Sequence, residues 1–425
     1  MPPTPPLRHT LRNGLRLVVL HDRSLPAVAV CVWYDAGSRH DPSGGSGLAH
    51  LLEHLMFRGS SGVAAGEHTA LIESAGGETN ASTGFERVLF YSTVPSRELG
   101  LVLRLEADRM FGLPDGFTEG ELEIQRAVVL NERRERYEDV PYGTVWETVV
   151  AATFPAGHPC HHLPIGTAAG IARATLADCV SFHRRRYASS NAVLSVVGDV
   201  DPDAVVRQVE SLFGSGPPAR DPVGYSATAA PVPVPASTQR IRRTQGVPVP
   251  ALSLACQLPS ARTPAGPAAD LAVLLLGGLT SSRLHTGLVR RRQLASSARF
   301  TLLALHDFPS VGILNVRLSA DASPADAETA LDGEIGSFAD AGPTSAELRR
   351  GLAQIRRRHG DATATLAGRA RELCRYETLF GDADMLSAAL TRSLDVSAED
   401  VRAVAALYLT PAHRVTFLIE PEPAR

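Results

Sequence analysis

The chain has 425 residues, 44% apolar and 20% charged, a globular composition that leaves room for two or three domains with their own cores. Its 42 basic residues are all arginine, and against 45 acidic residues they leave a net charge of −3. That balance excludes the broad basic field that gathers nucleic acid or anionic lipid, so neither nucleic acid nor a membrane is expected as a partner.

The N-terminal stretch MPPTPPLRHTLRNGLRLVVLHDRS holds one short apolar run flanked by charge, which is neither a signal peptide nor a span. No later stretch reaches the roughly 18 uninterrupted apolar residues of a membrane helix. Five cysteines (Cys31, Cys160, Cys179, Cys256, Cys374) are odd in number and scattered, without any CxxC pair. They point to a reducing compartment, and a soluble cytoplasmic chain is expected.

Leu15 to His21 and Ala27 to Trp33 are β-rich runs separated by Pro26. A Gly/Ser loop, Asp41 to Gly47, opens a helix, and further helices are expected at about 97–111, 118–136 and 176–187, before a strand at 191–199. From Gly214 to Ser237 the chain turns Pro-, Gly- and Ala-rich and reads as a semi-rigid linker. Beyond it a strand is expected at 251–257, a helix at 267–277, a strand near 312–318, a helix at 345–359 and a last strand, RVTFLIEP. The matching order of the flanks predicts two related α/β halves: residues 1–215, a linker at 216–238, and residues 239–425.

Chemistry concentrates in GLAHLLEHLMFRG. Leu48, Leu51, Leu52, Leu55 and Met56 form one apolar helix stripe, which leaves His50, Glu53, His54 and Phe57 on the other face. Histidines four apart stand one turn above each other, where both imidazoles reach one metal ion. Glu53 lies between them, placed to reach a water rather than the metal. Solvent-facing histidines on an amphipathic helix are the plainer alternative, but a face of His, Glu, His and Phe is an unusual one to leave in water. A catalytic zinc takes three protein ligands, so a distant carboxylate is required.

The segment TEGELEIQRAVVLNERRERYED offers one. Thr118 and Glu121 form a capping-box pattern, and Gln125, Val128, Val129 and Glu132 fall on one face. A carboxylate on an apolar face is paired or metal-bound. Taken alone, Glu132 reads equally as ligand or as helix-end ion-pair partner; beside the first helix the ligand reading prevails. Glu121, Glu123 and Glu135 are weaker candidates: Glu121 is assigned to the cap, and Glu135 lies off the stripe. HPCHH (His158 to His162) has a second metal site as its lesser reading and a Pro-containing loop without helical spacing as its main one. Arg290 to Arg292 read as a solvated helix face or a salt-bridge partner rather than a nucleic-acid patch.

HLLEH (His50 to His54), followed 78 positions later by Glu132 in RAVVLNE, resembles the M16 zinc peptidases, as do NASTGFERVLFYSTVP, ERYEDVPYG, YASSNAVLSVVGD and GGLTSSRLHTGLVRRRQLA. The resemblance implies an α+β fold of two homologous α/β-roll halves, each a mostly antiparallel mixed sheet flanked by helices. It implies Zn²⁺ on His50, His54 and Glu132, Glu53 as general base, and a peptide substrate lying along an edge strand at Asn80, Ala81, Ser82 and Thr83. An ordinary turn is the alternative for Asn80. Gln125 stands where many members carry a second glutamate, behind the metal ligands. Ser296 stands where active members carry the tyrosine of an Arg/Tyr pair. The resemblance therefore implies a dimer, in which a homologous subunit supplies that pair; the rival expectation is a non-catalytic scaffold subunit.

Overall fold

The computed structural model describes residues 5–42, 45–113, 117–216 and 239–422. Its strands are β1 (Leu7–Thr10), β2 (Arg16–His21), β3 (Ala27–Tyr34), β4 (Glu78–Thr83), β5 (Val88–Pro95), β6 (Ala192–Gly198), β7 (Gln239–Gln245), β8 (Ala251–Leu258), β9 (Ala295–Leu303), β10 (Ser310–Leu318) and β11 (Arg414–Pro421). The helices that matter below are α1 (Leu48–Leu55), α2 (Glu67–Ser74), α3 (Leu99–Phe111), α4 (Glu119–Arg133), α5 (Val145–Thr153), α6 (Leu176–Arg186), α7 (Gly266–Val273), α8 (Pro324–Ala341), α9 (Leu366–Phe380) and α10 (Ala398–Tyr408).

Two sheets result, ordered β1-β2-β6-β3-β5-β4 and β7-β11-β8-β10-β9. Apart from β1 they share one topology. The parallel pair β2/β6 corresponds to β7/β11, and every other neighbouring pair is antiparallel. The expected two-sheet α+β architecture is therefore present. β6 and β8 are buried along their whole length, and β3 along all but its first residue. Strands covered on both faces read as unbroken apolar runs rather than alternating ones, which is how AVAVCVWY and ALSLACQL look.

The compact units are not the colinear halves 1–215 and 239–425. One comprises Met1–Arg133, His162–Tyr225 and His359–Ala388; the other comprises Arg134–His161, Ser226–Arg358 and Ala389–Arg425. The reason is coverage of apolar sheet faces. In the first unit α9 lays Leu366, Ala370, Leu373 and Cys374 against Val18, Ala29, Cys31, Trp33 and Val193 of the sheet. In the second, α5 lies on β8, and the Gln257 amide there donates to the Thr153 carbonyl at 3.0 Å. Each sheet thus takes a covering helix from beyond the linker boundary. The linker expected at 216–238 lies, from 217 onward, outside the described residues. No helix among the described residues is long and apolar enough to cross a membrane.

Candidate metal centre

The first unit builds the centre from α1 and α4. Leu48, Leu51, Leu52 and Leu55 are buried, whereas His50, Glu53 and His54 on the other face are half-buried. The helix begins at Gly47, whose φ of 68° lies in the left-handed region and whose added Cβ would meet the Ile165 carbonyl at 2.5 Å. Glycine has no capping side chain, so Asp41 does that work: its carboxylate accepts the N–H groups of Leu48 (3.2 Å) and Ala49 (3.0 Å). Burial pushes the Asp41 carboxyl up to about 7, with these donors opposing the shift.

At the other end of α1 the Met56 carbonyl accepts from Arg109 Nε at 3.3 Å. Arg109 is fully buried on α3. It pairs with Glu106 at 2.6 Å, binds His68 Nε2 of α2 at 2.7 Å, and lies over the rings of Phe57 and Phe90 at 4.9 and 4.4 Å. Burial, followed by the guanidinium, drives the His68 imidazole down to about 2, which makes it a neutral partner.

α4 differs in detail from its sequence pattern. The Thr118 hydroxyl accepts the Glu121 N–H at 3.2 Å, but the Glu121 carboxylate takes Arg58 Nε at 3.0 Å instead of completing a capping box. Arg58 follows α1, so this pair ties the two helices. Gln125 and Val129 are buried; Val128 is 43% exposed and does not belong to the buried face. Glu132 borders that face in the last turn. Its neighbour Arg133 is buried and binds the Gly166 carbonyl at 2.7 Å, which fixes the helix end. A π-helical turn, Arg134–Glu138, follows.

Glu132 meets both histidines: one oxygen lies 3.8 Å from His50 Nε2 and the other 3.3 Å from His54 Nε2. The imidazole centroids are 4.8 Å apart with planes 70° from parallel. One donor atom from each of the three lies within 4.8 Å of the others, and among the described residues no other His/Cys/Asp/Glu group meets that condition. Ligands about 2.0–2.1 Å from a tetrahedral ion stand roughly 3.4 Å apart. Two imidazole nitrogens and a carboxylate at these separations are a donor set that suits zinc.

Glu53 does not face the ion position alone. The Thr83 hydroxyl donates to its Oε2, and burial pushes its carboxyl above the ordinary range while that hydrogen bond opposes the shift. Thr83 ends β4, which among the described residues pairs only with β5 and so forms the sheet edge. Asn80 is exposed there, its Oδ1 accepting the Ala81 N–H at 2.8 Å; Ala81 and Ser82 are half-buried.

The other singled-out groups have structural roles. His158 stacks on Phe154 at 4.5 Å and accepts the Cys160 N–H at 3.0 Å, while His161 Nδ1 donates to the Phe154 carbonyl at 2.7 Å. Arg291 and Arg292 pair with Glu334 at 3.1 and 2.8 Å. Ser296 is the extra residue of a β-bulge: Arg317 pairs with Ser297 and Leu318 with Ala295. Sequence reasoning missed Asp41, Arg109, Arg133 and Gly166. The only local signal was glycine before an apolar stripe, at GLAHLL.

Residues 16–162 match the family model described as insulinase, peptidase family M16, and residues 173–355 match that of the peptidase M16 inactive domain. A protein of Helicobacter pylori named zinc protease PqqE is 32% identical over 309 residues, 70% of this chain and 67% of its own. A zinc protease of Mycobacterium leprae, named as uncharacterized, is 36% identical over 208 residues; the match spans 46% of its length. Among solved structures, a protease from Helicobacter pylori superposes with a TM-score of 0.89 at 27% identity, covering 99% of this chain and all of that one. The periplasmic protease PqqL of Escherichia coli shares the fold at 18% identity and a TM-score of 0.75, with 99% of this chain covering 48% of it.

Proposed function

The chain belongs to peptidase family M16, and on that premise we propose that it is the zinc-bearing subunit of a peptidase. Its substrates are peptides or small proteins enclosed in a chamber. The observation that carries this reading is the convergence of His50, His54 and Glu132 within 4.8 Å, with Glu53 on the same helix face.

His50, His54 and Glu132 would hold a zinc ion, which would supply Lewis acidity toward a peptide carbonyl and an attacking water. Glu53 takes the proton of that water and returns it to the departing amine. Among the described residues no further strand pairs with the outer edge of β4, which leaves that edge to an extended peptide, and Asn80 stands on it.

A homologous partner completes the enzyme in this proposal. Support comes from Ser296, which carries no phenol at the position the resemblance reserves for tyrosine, and from PqqL, which is about twice as long as this chain. The same position keeps a second reading alive, a scaffold subunit without catalysis. The cytoplasm is the proposed compartment, since all five cysteines are buried as free thiols; cell fractionation checks it.

The decisive test is Glu53→Gln. With the partner present and zinc content unchanged, hydrolysis of a fluorogenic peptide falls by roughly 10²–10⁴-fold. Equal rates for variant and wild type favour the scaffold. Full activity of the purified chain as a homodimer removes the separate partner.

A further inference from the structure

The segment Asn80 to Thr83 resembles a substrate-binding edge, yet its four side chains do not share one surroundings. Successive residues of a strand point to opposite faces, so Ala81 and Thr83 share one face of β4 and Asn80 and Ser82 the other. Register fixes where Thr83 stands: it pairs with Val88, next to Ser82 with Leu89. The strand end is pinned as well. The Gly84 N–H donates to the Arg87 carbonyl at 2.8 Å, and Arg87 Nη1 donates to the Ser82 carbonyl at 3.2 Å. The Arg87 guanidinium in turn lies over the Trp33 ring at 5.2 Å. On this held strand the Thr83 hydroxyl donates to Glu53 Oε2. A β-branched side chain has few χ1 choices, so the donor is itself well fixed. Glu53, by contrast, is an unbranched side chain on a half-buried helix face, with three χ angles to fix before its carboxylate is placed.

We propose that Thr83 is a positioning residue: its hydroxyl holds Oε2 of Glu53 and so presents Oε1 for proton transfer. The proposal rests on the peptidase reading above. It assigns Thr83 to the catalytic carboxylate and leaves peptide contact to the backbone of the β4 edge and to Asn80. Misplacing a reacting group by about 1 Å costs on the order of a hundredfold, which sets the scale of the effect.

The test uses the assembled, zinc-loaded protein and a fluorogenic peptide. Thr83→Val keeps the shape and removes the donor; it lowers kcat by roughly ten- to a hundredfold with KM unchanged, and Thr83→Ser restores most of the rate. Zinc per chain and melting temperature stay at wild-type values; if the valine variant fails to fold, Thr83→Ala takes its place. A second readout needs no turnover: on a Glu53→Gln background, Thr83→Val leaves peptide affinity by fluorescence anisotropy unchanged. A raised KM with intact kcat, or weakened binding on that background, overturns the proposal and makes Thr83 a substrate contact. An unchanged kcat overturns it too. A wild type that hydrolyses nothing, or one indifferent to Glu53→Gln, removes the peptidase reading and this proposal with it.

Discussion

In the first unit the connection between β3 and β4 holds α1, with His50, Glu53 and His54; in the second the matching connection between β8 and β9 begins with α7, GPAADLAV, and a π-helical turn, LLLGG. There Ala268, Ala269, Leu271, Ala272, Val273, Leu274 and Leu275 are all buried, and the one charge, Asp270, pairs with Arg358 at 3.3 Å. The same strand order thus accommodates a helix whose polar face carries the His50, Glu53 and His54 cluster and a helix without one. The strand topology of each sheet is carried by its apolar runs, and the chemistry by three or four side chains on one connection.

The comparison breaks most sharply at the ligands. His54→Ala leaves two protein ligands and lowers zinc affinity by more than the roughly hundredfold loss typical of residues behind a metal site, whereas Asp270→Ala leaves zinc binding unchanged; competition with a chelating dye reads both. Next comes Arg109→Met, which strands the buried Glu106 carboxylate and costs about 3–5 kcal/mol in denaturant unfolding. Arg291→Ala in the second unit removes an ion pair whose arginine is 63% exposed and costs no more than about 1 kcal/mol.

Acid separates the units in another way. Burial raises the Glu347 carboxyl, but the Arg283 fork at 2.7 and 2.8 Å and the Thr344 donors outweigh it and hold the group at about 2, below its usual 4.5. A depressed carboxyl pKa stabilises the fold above 4.5, and that contribution is lost as pH falls from 4.5 toward 2. Glu347→Gln is therefore less stable than wild type at pH 6, and the gap narrows as the pH is lowered to 3, as followed by urea unfolding. The smallest effect is at Gly336 in α8, where an added Cβ meets nothing within 4 Å. Gly336→Ala stabilises by about 0.5–1 kcal/mol, while Gly47→Ala, strained at φ 68°, destabilises and weakens zinc binding.

The candidate cluster was legible because helical periodicity alone puts His50, Glu53 and His54 on one face, and because a zinc site calls for a third protein ligand. Val128 was misread since an apolar residue on a helix need not be buried; Leu122, Gln125, Val129 and Arg133 are the residues that α4 buries. Arg109 was invisible: one arginine in LRLEADRM reads as surface, and only tertiary contacts reveal a buried ion pair. Ownership of α5 and α9 was hidden for the same reason, since a local pattern says that a face is apolar but not which sheet it covers. One readable signal of the repeat was overlooked. Thr175–Asp178 and Ser397–Asp400 are both capping boxes, and the strand that follows α6 or α10 starts 17 positions after the cap in each case.

The most direct test of the central claim is an anomalous difference map at the zinc edge from crystals grown with zinc. The account predicts one strong peak per chain, about 2.0–2.2 Å from His50 Nε2, His54 Nε2 and a Glu132 oxygen. A map empty there, or a peak beside His158 and His161 instead, contradicts it.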